Sequence, residues 1–507
     1  MHANLSSLAG TTRRGFLQGS LGASLLCRGA GAATPTRPNI LFIMADEHNP
    51  KVAGFARNGL ARTPSLDRLA ERGVVFDGAC CNSPLCAPSR LSLTAGKYIH
   101  RIGAWNNECW IGDDSAPSLP HIMNAAGYDS ALCGKQHYDA SRRYGFTEVG
   151  GNMNTFYQTG LGVRRAPDDT SVDRTEADKR FGQCRVGDKS HVLEHDRAVT
   201  KGVLEFLSRR TKSDRPFFLF AGYLAPHFPL VVPEDCYRHA EGRIPLPEIP
   251  AGDLDRLPLN YQHLRRGFGT VNIPDDVTRR GRECYYGLTE WVDSEIGRVL
   301  NYLETSPFAE NTVVVYTADH GENMGEHGMW WKNCMFENAV RVPLIVSWPN
   351  RWKGGQSRSG SCSLLDVVKS VAEIGGARVP RDWNGDSLVP WLDDPAHKWK
   401  DLAVSQYYAH YIASGYAMLR TGGWKYVYHS SPAPNRKAER ELYNLAEDPN
   451  EFHNLAAQPA QQARTAEFHR RLVRELGEDP DESEQRARRD LAKGYGRPPA
   501  PAGGEVG

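Results

Sequence analysis

Two patterns alternate along this chain from Arg37 onward, and their alternation leaves few folds open. Short apolar runs rich in β-branched residues are separated by stretches with helical spacing. Such alternation is typical of an α/β fold in which a large mixed, mainly parallel sheet is sandwiched by helices. Helices are predicted over residues 288–303 and from Pro64 onward, with Thr63 as N-cap. The predicted strands are residues 39–45, 74–76, 130–133, 217–222, 312–317 and 344–348.

The pattern changes after about residue 382 and indicates a second, smaller unit. A chain of 507 residues exceeds what one hydrophobic core usually supports, so two packed units are expected. Residues 416–420 and 424–429 flank Thr421-Gly422-Gly423 as an antiparallel hairpin, and a helix over 461–476 is predicted to cover it. The predicted parts are a catalytic α/β domain at residues 34–381, a C-terminal α+β subdomain at 382–478 and a loose tail at 479–507.

Charge and loop composition limit the kind of ligand. The 61 Lys and Arg residues almost balance the 60 Asp and Glu residues, so no global basic field exists to attract nucleic acid or anionic lipid. Any site for an anion must therefore be local. Residues 151–195 and 228–274 are polar or rich in proline and are predicted to be loops that shape a substrate pocket.

The first residues are predicted to be an export signal. The segment TTRRGFL at residues 11–17 is followed by an apolar run rich in Gly, Ala and Ser, and by small residues at 30–33. This order is typical of a twin-arginine signal, with a disordered basic tail as the alternative. The apolar run is too short to span a bilayer, and no later stretch is long enough. We therefore expect residues 1–33 to direct the protein through the twin-arginine translocation machinery, giving a periplasmic or secreted protein without a membrane span.

Polar side chains directly follow several predicted strands. Ligands of open α/β sheets bind at the carboxyl ends of the strands, so these groups are expected to converge. A lone His or Asp after a strand is more often a cap or a loop residue, whereas four such positions together indicate a catalytic or metal site. The residues concerned are Asp46 and Glu47, Lys135 and His137, His227, and Asp319 and His320.

Residues 86–90, CAPSR, are predicted to lie in a turn that opens a helix. Pro88 fits the first turn of a helix, so the side chain of Cys86 would face free backbone N–H groups, which favour an anion. Taken alone, the pentapeptide also fits a thiol in a helix-capping turn.

The longer string CAPSRLSLTAGK resembles the signature of type I sulfatases, in which the cysteine of C-x-P-S-R is oxidised to formylglycine. The resemblance extends from about Arg37 to Ala456, where ELYNLAEDPNEFHNLA closes it, and it implies the fold of the alkaline phosphatase superfamily. The DE pair, the GK-x-H segment and the DHG ending are most similar to the choline sulfatase and phosphonate monoester hydrolase branch. The other matching strings are RPNILFIMADEH at 37–48, TPSLDRLAERGVVF at 63–76, GKQHY at 134–138, APHFP at 225–229 and TADHGENMGEHGMWWK at 317–332.

The resemblance implies a metal centre and a maturation step. Hard oxygen ligands suit Ca²⁺, and an imidazole beside them leaves Mn²⁺ open. Glu47 stands where many sulfatases have Asp, and residues 94–96 read TAG where the family usually has LTG. The latter departure lies outside the C-x-P-x-R core, so a formylglycine-generating enzyme is expected to convert Cys86. The implied ligands are Asp46, Asp319, His320 and the modified Cys86 side chain, with Glu47 as a further candidate.

The same resemblance suggests a division of catalytic roles. The metal and Arg90 would lower the cost of ionising one hydroxyl of the hydrated aldehyde, and Asp319 would take its proton. Lys135, Lys332 and His227 are candidates to stabilise negative charge, and Lys332 or His227 would protonate the leaving alcohol. His137 would remove a proton from the second hydroxyl and so expel sulfate.

The sequence therefore predicts an exported sulfatase, with sulfated carbohydrate as the leading substrate class and choline sulfate and aryl sulfates open. One alternative is a phosphonate or phosphate diester hydrolase on the same scaffold. Another is an inactive protein that binds sulfated glycans; it predicts gaps in the machinery, and every expected position is filled. A Ser-His-Asp hydrolase is disfavoured because no G-x-S-x-G elbow follows a strand.

Overall fold

The structure is a computed structural model that describes residues 37–139, 141–151, 153 and 163–495. The predicted export signal at 1–33 lies outside the described residues. Within them, no helix combines the length and the apolar character needed to cross a membrane.

Eight strands form one mixed sheet with the spatial order β8-β2-β7-β6-β1-β5-β3-β4. All neighbours run parallel except β7, which is antiparallel to both β2 and β6. The prediction of a mixed, mainly parallel sheet is confirmed. In chain order the strands are β1 (Asn39–Asp46), β2 (Val74–Cys80), β3 (Asp129–Gly134), β4 (Thr147–Glu148), β5 (Phe217–Pro226), β6 (Thr312–Ala318), β7 (Leu344–Ser347) and β8 (Gln356–Ser363).

Helices pack on this sheet in two groups. Every residue of β1, β5 and β6 is buried, as expected for central strands that are covered on both faces. In one group, α10 contacts α1 and α6, and α6 and α10 contact β5. In the other group, α2, α4 and α12 contact one another. The longer helices are α1 (Pro64–Glu71), α2 (Cys86–Ala95), α4 (Leu119–Ala125), α5 (Thr175–Phe181), α6 (His191–Ser208), α7 (Glu234–Ala240), α9 (Leu259–Gly267), α10 (Asp275–Thr305), α12 (Leu364–Ile374), α14 (Gln462–Leu476) and α15 (Pro480–Lys493). The short helices are α3 (Ile99–Ile102), α8 (Asp253–Arg256), α11 (Glu337–Val340) and α13 (Val389–Asp393).

A second sheet has four antiparallel strands in sequential order. Its central hairpin turns at Gly422 and Gly423, whose φ angles of 58° and 74° favour glycine. Phe468 and Leu472 of α14 pack into the core of this sheet, so the predicted hairpin and covering helix are confirmed. The strands are β9 (Ala403–Tyr407), β10 (Tyr416–Thr421), β11 (Trp424–His429) and β12 (Glu439–Asn444).

Two expectations are wrong in part. Residues 151–195 contain α5 and the start of α6, and residues 228–274 contain α7, α8 and α9, although both stretches were expected to be loops. The tail was expected to be loose from residue 479, yet Pro480–Lys493 is helical and buries Ser483, Glu484 and Ala487. Its polar composition hides an inner face of small and ion-paired side chains: Glu484 forms an ion pair with Arg164 at 2.7 Å.

The small sheet holds the segment that follows Lys332. The hydroxyl of Tyr416 donates a hydrogen bond to the carbonyl oxygen of Asn333. The ammonium group of Lys425 donates to the carbonyl oxygen of Met335 at 2.7 Å. Lys425 is fully buried, and its Nζ also lies 3.0 Å from Glu337 Oε1 and 2.5 Å from Glu451 Oε1. One buried cation thus bridges two buried carboxylates from different parts of the chain, and Arg420 also pairs with Glu337 at 3.3 Å.

Replacing Lys425 with methionine is expected to destabilise the protein. The substitution keeps the volume but leaves Glu337 with less compensation and Glu451 without its buried cation, a change that typically costs about 3–5 kcal/mol. Guanidinium unfolding followed by tryptophan fluorescence would measure the loss. The exposed Lys398→Met variant serves as a control and is expected to unfold like the parent protein. An unchanged midpoint in Lys425→Met would refute the stabilising role of the cluster.

Candidate active site

The register of the central strands brings the predicted polar residues to one edge of the sheet. Ala45 of β1 pairs with Ala318 of β6, and Asp46 pairs with Pro226 of β5. Asp319 and His227 are the residues that follow these two partners. On the other side of β5, Gly134 of β3 pairs with Gly222, which places Lys135 at the same edge. The predicted convergence therefore follows from strand order and register.

Cys86 is the first residue of α2 and is almost completely buried. Its thiol occupies the position that the predicted formylglycine side chain would take. Cys86 Sγ lies 3.2 Å from Lys332 Nζ, 3.3 Å from His320 Nε2 and 3.7 Å from Asp46 Oδ1. The helix N-terminus and the ammonium group both favour negative charge at this position. The structure thus joins Cys86 directly to Asp46 at the end of β1, to His320 just after β6 and to Lys332 in the segment between β6 and β7.

Four side chains could hold a metal ion at this point. Asp46, Cys86, Asp319 and His320 each offer one ligand atom, and all four atoms lie within 4.8 Å of one another. The Nδ1 atom of His320 lies 3.0 Å from the carbonyl oxygen of Gly321, so a proton on Nδ1 would leave Nε2 facing the group. Two carboxylates, one imidazole and the side chain at position 86, if it is converted as predicted to carry oxygen, would fit a divalent cation such as Ca²⁺ or Mn²⁺.

Arg90 holds the two candidate metal-binding carboxylates in place. Its side chain is fully buried; Nε lies 2.7 Å from Asp319 Oδ2, and Nη2 lies 3.2 Å from Asp46 Oδ2. Nη1 donates to the carbonyl oxygen of Lys135 at 2.8 Å. The guanidinium is therefore paired with the carboxylates of Asp46 and Asp319, so any effect on residue 86 would be exerted through them and through its charge.

The charges of the cluster depend strongly on one another. Burial raises the pKa of Asp46, but the neighbouring cations, led by Lys135, outweigh burial and hold this pKa well below its usual value. Lys135 forms a close ion pair with Asp46. Burial lowers the pKa of His320, whereas the Asp319 carboxylate raises it, with a net rise to about 9. The low pKa of Asp46 thus reflects the cations around it, and the raised pKa of His320 reflects its carboxylate neighbour.

Glu47 has a strained backbone and a side chain that faces two cations. Its φ angle of 65° is rare for a residue other than glycine, and it is fixed from both sides: its N–H donates to Asp319 Oδ1 at 3.1 Å and its carbonyl accepts from Tyr285 at 2.6 Å. Glu47 Oε2 lies 3.3 Å from Lys332 Nζ and 3.4 Å from His227 Nε2. Asp46, Glu47 and His227 form a second group of closely spaced ligand atoms. Metal ligation by Glu47 stays a prediction.

His137 is linked to the other predicted site residues through its backbone segment. It is buried two residues after Lys135 and has a φ angle of 62°. The segment that carries it is fixed to Arg90 through the Lys135 carbonyl. His137 thus belongs to the same edge of the sheet, and its role in the reaction stays a prediction.

Three residues of the site have no assigned role in the sequence analysis. Glu322 is buried beside Glu47, and burial followed by the charge of Glu47 raises its pKa well above the usual value. Its Oε1 accepts the N–H of Trp331 at 2.8 Å. Ser89 donates to the Asp319 carbonyl at 2.7 Å, and Asn107 accepts the N–H of Ala87 at 3.0 Å. Glu322 and Ser89 lie inside matching strings, whereas nothing in the sequence points to Asn107.

Comparison with known proteins agrees with this arrangement. A family model described as Sulfatase matches residues 38–377, and one described as N-sulphoglucosamine sulphohydrolase, C-terminal, matches residues 325–478. Choline-sulfatase of Rhizobium meliloti is 29% identical over 444 residues, which is 84% of this chain and 84% of the relative. N-acetylglucosamine-6-O-sulfatase of Bacteroides thetaiotaomicron is 27% identical over 525 residues, covering 88% of each chain. The solved structure of phosphonate monoester hydrolase of Agrobacterium radiobacter matches with a TM-score of 0.71 at 20% identity, covering 87% of this chain and 96% of the other.

Proposed function

The chain belongs to the sulfatase family of sulfuric ester hydrolases, within the alkaline phosphatase superfamily, and from this we propose that it hydrolyses sulfate esters with a formylglycine made from Cys86. The observation that carries the proposal is the convergence at Cys86 Sγ, with Lys332 Nζ at 3.2 Å and His320 Nε2 at 3.3 Å. A cation, an imidazole and the metal-ligand carboxylates surround the one atom at which the nucleophile would form.

The residues around position 86 support attack on sulfur. Asp46, Asp319, His320 and the modified residue 86 would hold a divalent cation, Ca²⁺ or Mn²⁺, whose positive charge would favour ionisation of the attacking hydroxyl and offset the charge of the sulfate oxygens. Asp319 takes the proton of the attacking hydroxyl, and Arg90 keeps Asp319 in position for this step. Lys135 and Lys332 stabilise the negative charge that develops on the sulfate group.

As the hydroxyl oxygen of residue 86 bonds to sulfur, the sulfur–oxygen bond to the alcohol breaks. Lys332, which lies next to Cys86, donates a proton to the leaving oxygen, and His227 is the alternative donor. The second half of the reaction restores the aldehyde. His137 then takes the proton of the remaining hydroxyl. The bond between Cβ of residue 86 and the sulfate oxygen breaks, and sulfate leaves. Addition of water to the aldehyde completes the cycle.

The proposed setting is extracytoplasmic. Residues 1–33 carry the twin-arginine pattern, which supports export to the periplasm or beyond after conversion of Cys86 by a formylglycine-generating enzyme. A carbohydrate sulfate is the proposed substrate class, supported by the similarity to an N-acetylglucosamine-6-O-sulfatase. Choline sulfate is the alternative, since a choline-sulfatase is also similar.

Two measurements on protein purified from its native host test the proposal. Tryptic mass spectrometry of the Cys86 peptide is expected to find the aldehyde or its hydrate in place of the thiol. Paired assays are expected to find release of sulfate from an aryl sulfate at a higher kcat/KM than release of product from the matching aryl phosphonate. Faster phosphonate turnover would favour the phosphonate hydrolase, and an unmodified thiol with no turnover would favour a sulfated-glycan-binding protein.

A further inference from the structure

A positively charged side chain outside the catalytic set lies against the aromatic residues of the site. Arg180, on α5, places its Cζ atom 3.8 Å from the ring centre of Phe228, 4.4 Å from that of Trp331 and 5.5 Å from that of Phe268. Phe228 follows His227, and Trp331 precedes Lys332. The guanidinium therefore contacts the direct chain neighbours of two predicted catalytic residues.

The same rings connect Arg180 to the reacting groups. The ring of Phe228 stacks on the imidazole of His227, with 4.1 Å between ring centres, and lies 5.9 Å from Lys332 Nζ. Burial lowers the pKa of Arg180, and the carboxylates of Glu176, Glu47 and Glu322 oppose this shift. The guanidinium is thus separated from both His227 and Lys332 by the single ring of Phe228.

Most of the hydrogen-bonding capacity of Arg180 is left over. Its side chain is only 15% exposed. Its Nε–H donates to Glu176 Oε2 at 3.1 Å. Within the part of the chain that the structure describes, no acceptor pairs with its two terminal amino groups. A partly buried guanidinium with a free pair of donors matches the two oxygens of a carboxylate or a sulfate.

A second donor comes from the small sheet. His410 lies three residues after β9 and is 8% exposed, and its ring lies edge-on to Phe268 with 5.8 Å between ring centres. Its Nδ1 atom is buried and has no hydrogen-bond partner among the described residues. Burial, with the nearby charges of Arg180 and Lys332, lowers the pKa of His410 to about 3. A neutral imidazole offers one N–H to a ligand without adding charge.

The aromatic residues do not form an empty site for a quaternary ammonium group. Such a group binds over the faces of several aromatic rings. Here the rings of Phe228, Trp331 and Phe268 already surround the chain's own guanidinium, whose positive charge would repel a second cation. The geometry thus disfavours choline sulfate and favours a substrate with additional negative charge.

We propose that the substrate is a sulfate ester with a second anionic group, a carboxylate or a further sulfate, which Arg180 and His410 bind beside the reacting sulfate. This rests on the proposed function and names its substrate class: an anionic sugar of the uronate or multiply sulfated kind. Arg180 determines specificity here, and its loss should matter most for substrates that carry the second group.

Binding to a turnover-deficient protein tests the subsite without relying on catalysis. With the Cys86→Ala variant in calorimetry, each dianionic sugar is compared with a monoanionic reference: N-sulfated glucosamine 6-O-sulfate with N-acetylglucosamine 6-O-sulfate, and a 2-O-sulfated uronate with the corresponding 2-O-sulfated hexose. We expect at least one of the two dianionic sugars to bind about 10- to 100-fold more tightly than its reference, and choline sulfate to bind more weakly than either reference. The dianion that binds more tightly shows whether the second anionic group is a sulfate or a carboxylate.

Substitutions then assign the preference to the subsite. On the Cys86→Ala background, Arg180→Gln is expected to reduce the ratio of affinities for the preferred dianion and its reference to below about 3, and His410→Gln to reduce it by a smaller factor. Arg180→Lys should keep part of the ratio because it retains the charge but not the paired donors. Lys179→Gln removes the neighbouring exposed charge of the same helix and should leave the ratio unchanged.

The outcomes separate the two proposals. Equal affinity for each dianion and its reference, or an unchanged ratio in folded Arg180→Gln, would overturn the subsite. Thermal unfolding checks the fold, and His410→Gln and Arg180→Lys give the answer if Arg180→Gln fails to fold. A protein that prefers the dianion yet releases no sulfate from any ester when Cys86 is intact would instead contradict the proposed hydrolysis and leave the anion subsite standing.

Discussion

Replacing Cys86 with alanine is expected to reduce kcat/KM for a sulfate ester by about 10⁴-fold or more, because an enzyme that loses its nucleophile keeps only binding and charge stabilisation. Alanine cannot be converted to an aldehyde, so the hydrated nucleophile never forms. The measurement is the rate of sulfate release from that ester. The parent protein and each variant are expressed in the native host, where Cys86 of the parent is expected to be converted.

A buried cysteine outside the cluster gives the matched control. Cys362 on β8 is fully buried, and Cys362→Ala removes a thiol of the same size without touching the site. This variant is expected to keep its activity, and both variants are expected to unfold near the temperature of the parent. Activity of Cys86→Ala within tenfold of the parent would eliminate residue 86 as the nucleophile.

Replacing Asp319 with asparagine is expected to remove the metal and reduce kcat about 10³-fold, since charge stabilisation by a bound cation is worth several kcal/mol. The carboxylate belongs to the four-residue ligand group and accepts a 2.7 Å hydrogen bond from Arg90. Elemental analysis of the purified variant should find less than one tenth of the metal in the parent, and dialysis of the parent against a chelator should reproduce the loss of activity.

Asp253 supplies the control for this second substitution. It is also a buried aspartate, and it lies 3.0 Å from His327 away from the ligand group. Asp253→Asn should therefore keep its full metal content even if its stability falls. A full complement of metal in Asp319→Asn would show that this carboxylate is not a ligand.

Much of the candidate site can be predicted from local sequence, because the end of a strand is visible in the residues around it. Asp46, Lys135, His227 and Asp319 directly follow apolar runs, and parallel register then brings the ends of those runs together. The start of α2 at Cys86 also follows from nearby residues, since Pro88 fits only the first turn of a helix. The resemblance to sulfatases adds roles to these residues.

The remaining features depend on segments that are distant in sequence. Thr63 was expected to cap α1, yet its hydroxyl donates to Asp67 and the first N–H groups of the helix bind Asp293 of α10. Asn107 holds the start of α2 from a loop without any motif. Arg180 lies in a stretch whose polar composition suggested a loop, and only the folded chain shows the rings around it. No local pattern encodes which loop crosses the open end of the sheet.

The grip of the small sheet on the residues after Lys332 bears on how such chains diverge and recombine. Tyr416 and Lys425 bind the backbone at Asn333 and Met335, so a shift of these strands would move Lys332 as well. The apparent border between the two sheets is therefore a poor crossover point for chimeras with related chains. Hybrids that inherit residues 332 to 425 from one parent keep Lys332 together with the strands that hold its segment. Hybrids joined within that interval combine a segment and strands from parents that evolved separately.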